Sequence, residues 1–171
     1  MCTILNMPLE ILEHIFYFLD LPSQIKLKTT CRTFCIFDIT NFWDLGGLLK
    51  SSEITNEILQ KYPKIKYLNL YDNRKVNNIN FLTRLLYLNI GGLCIISDQD
   101  IVDHRKLIYI NCENNCHIKD LSNKTKIKYL DVSGYCGVSD ENISHLNLIE
   151  INFDGNHKIT NPKCLESNLC L

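Results

Sequence analysis

Apolar positions along this chain follow two periods, and the change from one to the other divides it. From Ile65 onward, apolar residues fall at offsets 0, 3, 5 and 11 of a unit that recurs five times. The first unit carries Ile65, Leu68, Leu70 and Val76, the second Leu85, Leu88, Ile90 and Ile96, the third Leu107, Ile110, Cys112 and Ile118. The fourth has Ile127, Leu130, Val132 and Val138, and the fifth Leu148, Ile151, Phe153 and Ile159. Successive starts are 20, 22, 20 and 21 residues apart. Alternation at offsets 3 and 5 predicts one short strand per unit. Stacking the units predicts a parallel ribbon with that row buried. Length differences are then absorbed on the far side, where Ser97 to His104 and Ser139 to Leu146 read as single helical turns. A fainter unit runs from Trp43 through Leu48 to Ile54-Thr55-Asn56.

The first forty-odd residues follow a helical period instead. Pro8 suits a first helical turn, with Glu10 near the positive end of the helix dipole. From Leu9 to Leu21 nine of thirteen residues are apolar, whereas one core-facing stripe needs only Ile11, Leu12, Ile15, Phe16 and Leu19. The surplus aromatic surface requires cover, from the rest of the chain or from another protein. A second helix is expected after Pro22, carrying Ile25 and Leu27 toward Cys31-Arg32-Thr33-Phe34.

The outward positions of the repeated strands form two rows. Offset 2 holds Tyr67, Tyr87, Tyr109, Tyr129 and Glu150; offset 4 holds Asn69, Asn89, Asn111, Asp131 and Asn152. Strands about 4.8 Å apart turn these into an aromatic and an amide ladder. Two readings follow. Stacked tyrosines and hydrogen-bonded asparagines stabilise the array itself, or the tyrosines anchor a protein partner.

The repeated pattern resembles the leucine-rich repeat, L-x-x-L-x-L followed by a turn and a further apolar residue. It is closest to the cysteine-containing subclass, as the tails Ile96-Ser97-Asp98, Val138-Ser139-Asp140 and Ile159-Thr160-Asn161 indicate. It departs at offset 8, where the subclass cysteine is replaced by Asn73, Leu93, Asn115, Tyr135 and Asn156; Cys94, Cys116 and Cys136 stand one residue later. Residues 5 to 44 resemble the F-box motif: Met7-Pro8-Leu9-Glu10-Ile11-Leu12, Ile15, Leu19, Ile25, Leu27, Cys31-Arg32-Thr33-Phe34 and Phe42-Trp43. Met7 replaces the usual Leu, and Thr30 stands where Val is usual, a polar swap expected to weaken packing.

The two resemblances imply an α/β protein with a helical F-box over 1–44 and a connecting segment or degenerate first repeat over 45–64. About five leucine-rich repeats then fill 65–171. Together they resemble the substrate-recognition subunit of an SCF-type cullin ubiquitin ligase. On that resemblance Pro8, Leu9, Ile11, Leu12, Ile15, Phe16, Leu19, Ile25 and Leu27 dock a Skp-type adaptor, and through it a cullin complex. The two outward rows, Tyr67, Asn69, Tyr87, Asn89, Tyr109, Asn111, Tyr129, Asp131, Glu150 and Asn152, then hold a target protein. The alternative is a non-catalytic binding or decoy protein with a vestigial F-box.

Composition narrows the rest. Eighteen Lys+Arg against nineteen Asp+Glu give a net charge of -1, with no basic stripe for nucleic acid or anionic lipid. No apolar run is long enough to span a membrane, and the absence of basic residues from Met1 to Glu10 argues against a signal peptide. Nine cysteines without a CxxC pair are expected to be reduced, buried thiols of a cytoplasmic or nuclear protein, with no metal and no cofactor. No nucleophile elbow, phosphate loop or HExxH occurs, so a non-enzyme is expected. Alanine is absent and Lys (14) outnumbers Arg (4), a bias of AT-rich genomes, viral ones included.

Overall fold

Pro8, with its fixed φ, caps the first helix α1 (Leu9–Phe18) in a computed structural model that describes residues 7–43 and 50–162. Asp20 then accepts a hydrogen bond from the Ser23 N–H and opens α2 (Leu21–Thr30), so the second helix starts one residue before Pro22 rather than after it. A 3₁₀ turn over Arg32–Ile36 follows. The core between them is aromatic: Phe16 lies 6.1 Å from Phe34 and 5.4 Å from Phe37 by ring centroids, with Leu12 and Leu21 buried beside them. The Lys28 ammonium lies 6.0 Å from the Phe16 centroid, within cation–π range.

The helical part runs directly into a six-stranded parallel sheet. Its first strand, β1 (Asn41–Phe42), pairs with β2 (Tyr67–Asn69). The others follow in chain order, β3 (Tyr87–Asn89), β4 (Tyr109–Asn111), β5 (Tyr129–Asp131) and β6 (Glu150–Asn152), with Tyr67, Tyr87, Tyr109, Tyr129 and Glu150 in register. Consecutive order in an all-parallel sheet is the topology of a solenoid. Apolar residues at offsets 0, 3, 5 and 11 line one continuous core; only Ile151 and Phe153, in the last unit, are half-buried. The fainter first unit contributes its strand before Trp43, not after it; its Leu48 lies outside the described residues, while Ile54 is fully buried.

On the far side the expected helical turns are α4 (Asp98–Ile101) and α5 (Asp140–Ile143), capped by Ser97 and Ser139; α3 (Asn56–Gln60), capped by Thr55, precedes them. Asp98 and Asp140 reach the next unit. Asp98 accepts from the N–H groups of Lys119 and Asp120, and Asp140 from those of Thr160 and Asn161. The backbone N–H of Thr160 is the main cause holding the Asp140 carboxyl below the usual carboxylate range.

The turns after the strands carry a second pattern. Offset 7 lies in the left-handed region in every unit, at Asp72, Gly92, Asn114, Gly134 and Gly155, which favours Gly, Asn and Asp. Units one to four alternate. In the first and third, the side chains of Asp72 and Asn114 accept from the N–H groups of Leu93 and Tyr135 in the following unit. A Cβ at Gly92 or Gly134 would collide with those same side-chain oxygens, so the second and fourth units take glycine there.

The buried residue beside this turn alternates in step. Asn73 and Asn115 donate Nδ2 to two carbonyls of the preceding unit, Ser51 with Ile54 and Ile90 with Ile96, and Asn156 does the same with Val132 and Val138. Their Oδ1 atoms accept from backbone N–H groups of the turn they start. In the second and fourth units Cys94 and Cys136 are buried instead, while Leu93 and Tyr135 project outward. The offset-9 cysteines therefore do not form one buried column: Cys116 is exposed, because Asn115 already fills the buried position of its unit.

One inward row, half-buried at Tyr62 and buried in the next three units, is not apolar throughout. Tyr62, Leu82, His104 and Lys124 each precede the next unit by three residues, and each carbonyl accepts from the first N–H of that unit. Lys124 donates Nζ to the Val102 carbonyl and to Asn123. Among the described residues neither ring nitrogen of His104 has a partner of good hydrogen-bond geometry. Burial pushes its pKa down, with the Ile79 carbonyl offsetting part of this and the Lys124 charge adding to it. The folded ring thus resists a proton that the unfolded ring accepts near pH 6.5, so stability present above that pH is lost as pH falls toward the folded value. His104→Leu, which copies Leu82 of the previous unit, is expected to stabilise the fold by about 1–2 kcal/mol and to flatten its acid dependence. Urea unfolding at about pH 7.5 and pH 5.5, either side of the ordinary histidine value, measures both. An unchanged slope between the two would refute the assignment.

Candidate partner-binding surfaces

Helix α1 presents apolar side chains on two opposite faces. Leu12 and Phe16 point inward at 2% and 0% exposure, and Leu19 is half-buried with them. Met7, Ile11 and Phe18 point outward, Phe18 at 92%, with Ile15 half-buried at their edge. A spacing of seven residues puts Ile11 and Phe18 on one stripe of α1, about 10 Å long at 1.5 Å per residue, and Met7 lies exposed just before the helix. Ile36, on the 3₁₀ turn, is 62% exposed as well.

This arrangement revises the adaptor-facing set expected from the sequence. Pro8, Leu9 and Ile11 are exposed; Ile15, Leu19, Ile25 and Leu27 are half-buried. Leu12 and Phe16 cannot dock a partner, because they are the centre of the helical core. The inward stripe is accordingly built on Leu12 and Phe16 and excludes Ile11. Phe18 and Ile36 were not distinguished by sequence; the only signal for Phe18 was its spacing of seven residues from Ile11. Thr30 is exposed and donates Oγ1 to the Lys26 carbonyl, so the expected packing penalty of a polar residue there does not arise.

The concave face of the sheet carries the second surface. Tyr67 and Tyr87 stack with centroids 5.0 Å apart, and Tyr87 and Tyr109 at 6.0 Å. Trp43 sets its edge against Tyr109 at 5.4 Å, which ties the end of the helical segment to the middle of the ribbon. The stack is three tyrosines long rather than four. Tyr129 stands apart, and a pocket of about 110 Å³ opens between it, Tyr109, Asp131, Glu150 and Asn152.

The amide row does not form the ladder expected along the stack. Each residue instead folds its own turn: the Oδ1 atoms of Asn69, Asn89, Asn111, Asp131 and Asn152 accept from the N–H two residues on. Asn152 Nδ2 to Asp131 Oδ2, at 3.0 Å, is a bond between rungs. The row is therefore a structural device first, with its remaining polar atoms displayed on the concave side.

The buried thiols are not alike: contact with the Cys112 sulfur, the main cause, lowers the pKa of Cys136, while those of Cys94 and Cys112 are raised. Burial pushes the Cys94 pKa up to about 11. The contact with Cys136, 3.7 Å between sulfurs, and then burial push Cys112 up as well. Among the described residues no three His, Cys, Asp or Glu side chains converge as a metal site would require, and no helix is long and apolar enough to cross a membrane.

Comparison with known families places an F-box domain at residues 4–45, the segment that holds α1, α2, the 3₁₀ turn and β1. No curated protein matches the chain.

Proposed function

We propose that this chain is the substrate-recognition subunit of an SCF-type cullin ubiquitin ligase. One observation carries the reading: an F-box domain shares its last strand with a parallel solenoid whose concave face displays stacked tyrosines. F-box domains in general bind Skp-type adaptors, and the outward stripe of Ile11 and Phe18, with Met7 exposed just before the helix, supplies the apolar surface such an adaptor would cover. The solenoid is read as leucine-rich repeats, on the 0, 3, 5, 11 spacing and the Asn or Cys that fills each turn. Its concave face is read as the surface that captures a target protein.

In this role the chain itself is not catalytic: it carries a target to an enzyme supplied by the complex. Cys94 and Cys112, whose pKa values are raised, suit packing rather than nucleophilic attack. The role also places the chain in the cytoplasm or nucleus. Exposure of Thr30 weakens one ground for a vestigial F-box, the other being the short repeat array.

Co-expression with a Skp-type adaptor and a cullin tests the proposal. A ternary complex that survives gel filtration is the expected result. A folded chain that leaves the adaptor behind would reject the receptor role, and adaptor binding without cullin would favour the decoy.

A further inference from the structure

The concave face is chemically lopsided. Offsets 2, 4 and 6 of the five units supply fifteen positions on this side of the strands, of which Gly91 and Ser133 are buried; Glu113, Asp131, Glu150 and Asp154 among them are acidic and none is Lys or Arg. The whole chain, by contrast, is nearly balanced at eighteen basic and nineteen acidic residues. The acidic positions gather in the last three units, next to the break in the tyrosine stack. Lys128, just before β5, turns its Nζ to the Asn147 carbonyl at 2.9 Å.

The carboxylates act on one another's neighbours across the face. Glu113 is the main cause raising the Tyr71 pKa, with Asp131 contributing. Burial and then, among the charges, Asp131 and Glu150 raise that of Tyr109. Between Tyr109 and Tyr129 the pocket of about 110 Å³ is walled by two aromatic rings and by Asp131 and Glu150. That volume equals roughly four waters at about 30 Å³ each, room for the planar head of one arginine or the ammonium of one lysine. Asp131 is only partly used internally: Oδ1 accepts from the Ser133 N–H and hydroxyl, and Oδ2 from Asn152. An oxygen of a carboxylate accepts more than one hydrogen bond.

Building on the reading of the concave face as the capture surface, we propose that it takes a basic, extended segment of the target, with one Arg or Lys seated between Tyr109 and Tyr129 against Asp131 and Glu150. The ring faces supply cation–π attraction and the carboxylates supply the paired charge. The tyrosines Tyr67 and Tyr87 then receive the residues that precede or follow that cation. A neutral or acidic segment would leave the carboxylates uncompensated, so the face selects by sign as well as by shape.

Fluorescence polarisation on the adaptor-bound full chain tests this, with a labelled Gly-Arg-Ser-Arg-Gly-Arg-Ser-Gly peptide and its analogue carrying Gln for every Arg. The arginine peptide is expected to bind about tenfold tighter than the glutamine one, and its affinity to fall as salt rises. Asp131→Asn with Glu150→Gln is expected to remove about that tenfold preference. Folding is safe in this variant, because the other four units carry Asn at the position of Asp131. Asp103→Asn with Glu141→Gln removes the same charge at exposed positions outside the face and is expected to change nothing. Equal loss in both double variants would show unspecific attraction and overturn the inference, as would equal or undetectable binding of the two peptides. Proximity labelling with a Tyr87→Ala variant separates the underlying reading. If it alters the captured proteins while Asp131→Asn with Glu150→Gln does not, the concave face stands as the capture surface and the basic-segment inference falls. An unchanged set with both variants rejects the surface itself.

Discussion

Ile11→Asp combined with Phe18→Asp is expected to abolish binding of the Skp-type adaptor while leaving the chain folded. Both side chains lie on the outward stripe of α1 and neither belongs to the helical core. In water the new carboxylates cost little. Covered by a partner and left unpaired, each costs several kcal/mol, enough to erase an interface of micromolar strength at about 8 kcal/mol. Leu12→Asp is the informative contrast: it buries a charge against Phe16 and Phe37, so it should unfold the helical segment rather than spare it. Adaptor pull-down read beside thermal unfolding separates the two effects. A folded double variant that still binds would place the docking surface elsewhere. Ile15 is left unaltered, since it is half-buried and its loss would mix folding with binding.

Asn115→Ala is expected to lower stability by about 3–4 kcal/mol, because two buried carbonyls and one N–H lose their partner at roughly 1–3 kcal/mol each before relaxation. The groups are the carbonyls of Ile90 and Ile96 and the N–H of His117. At this chain length the loss corresponds to about 10 °C in melting temperature. Asn111→Ala, four residues earlier, removes one hydrogen bond to Glu113 N–H at a half-exposed turn and should cost only about 1 kcal/mol. The comparison isolates position from residue type. Similar losses at the two sites would mean that the inter-unit bonds contribute little.

The same pair of residues shows what a linear reading can and cannot reach. Asn111 and Asn115 look alike in sequence, and the regular row at offset 4 was the more conspicuous. The row folds local turns, whereas the irregular positions at offset 8 tie one unit to the next. Only coordinates show this, because a side-chain amide commits to whichever backbone groups the neighbouring coil leaves unpaired. The alternation of Asp or Asn with Gly at offset 7 was present in the sequence. Its meaning depends on a side chain entering the space where the next unit's Cβ would stand.

Helix α1 gives the complementary case. Apolar residues surround it, so its hydrophobic period does not define one inner face. The choice of Leu12 and Phe16 over Ile11 and Phe18 follows from where Phe34 and Phe37 pack, two aromatic contacts from outside the helix. The polar pair His104 and Lys124 likewise became a buried feature only when their row was aligned with Tyr62 and Leu82 in space.

By itself the sequence determined a helical start followed by a parallel ribbon, the buried rows at offsets 0, 3, 5 and 11, and the tyrosines brought into register. Those properties rest on periodicity, and burial of an apolar row at a fixed spacing admits one stacking. The tertiary structure decided which face of α1 is free, which asparagines join the units, where the tyrosine stack stops, and that a carboxylate-walled pocket opens there. Each of these depends on which distant groups compete for the same space or hydrogen bond, information that no local spacing contains.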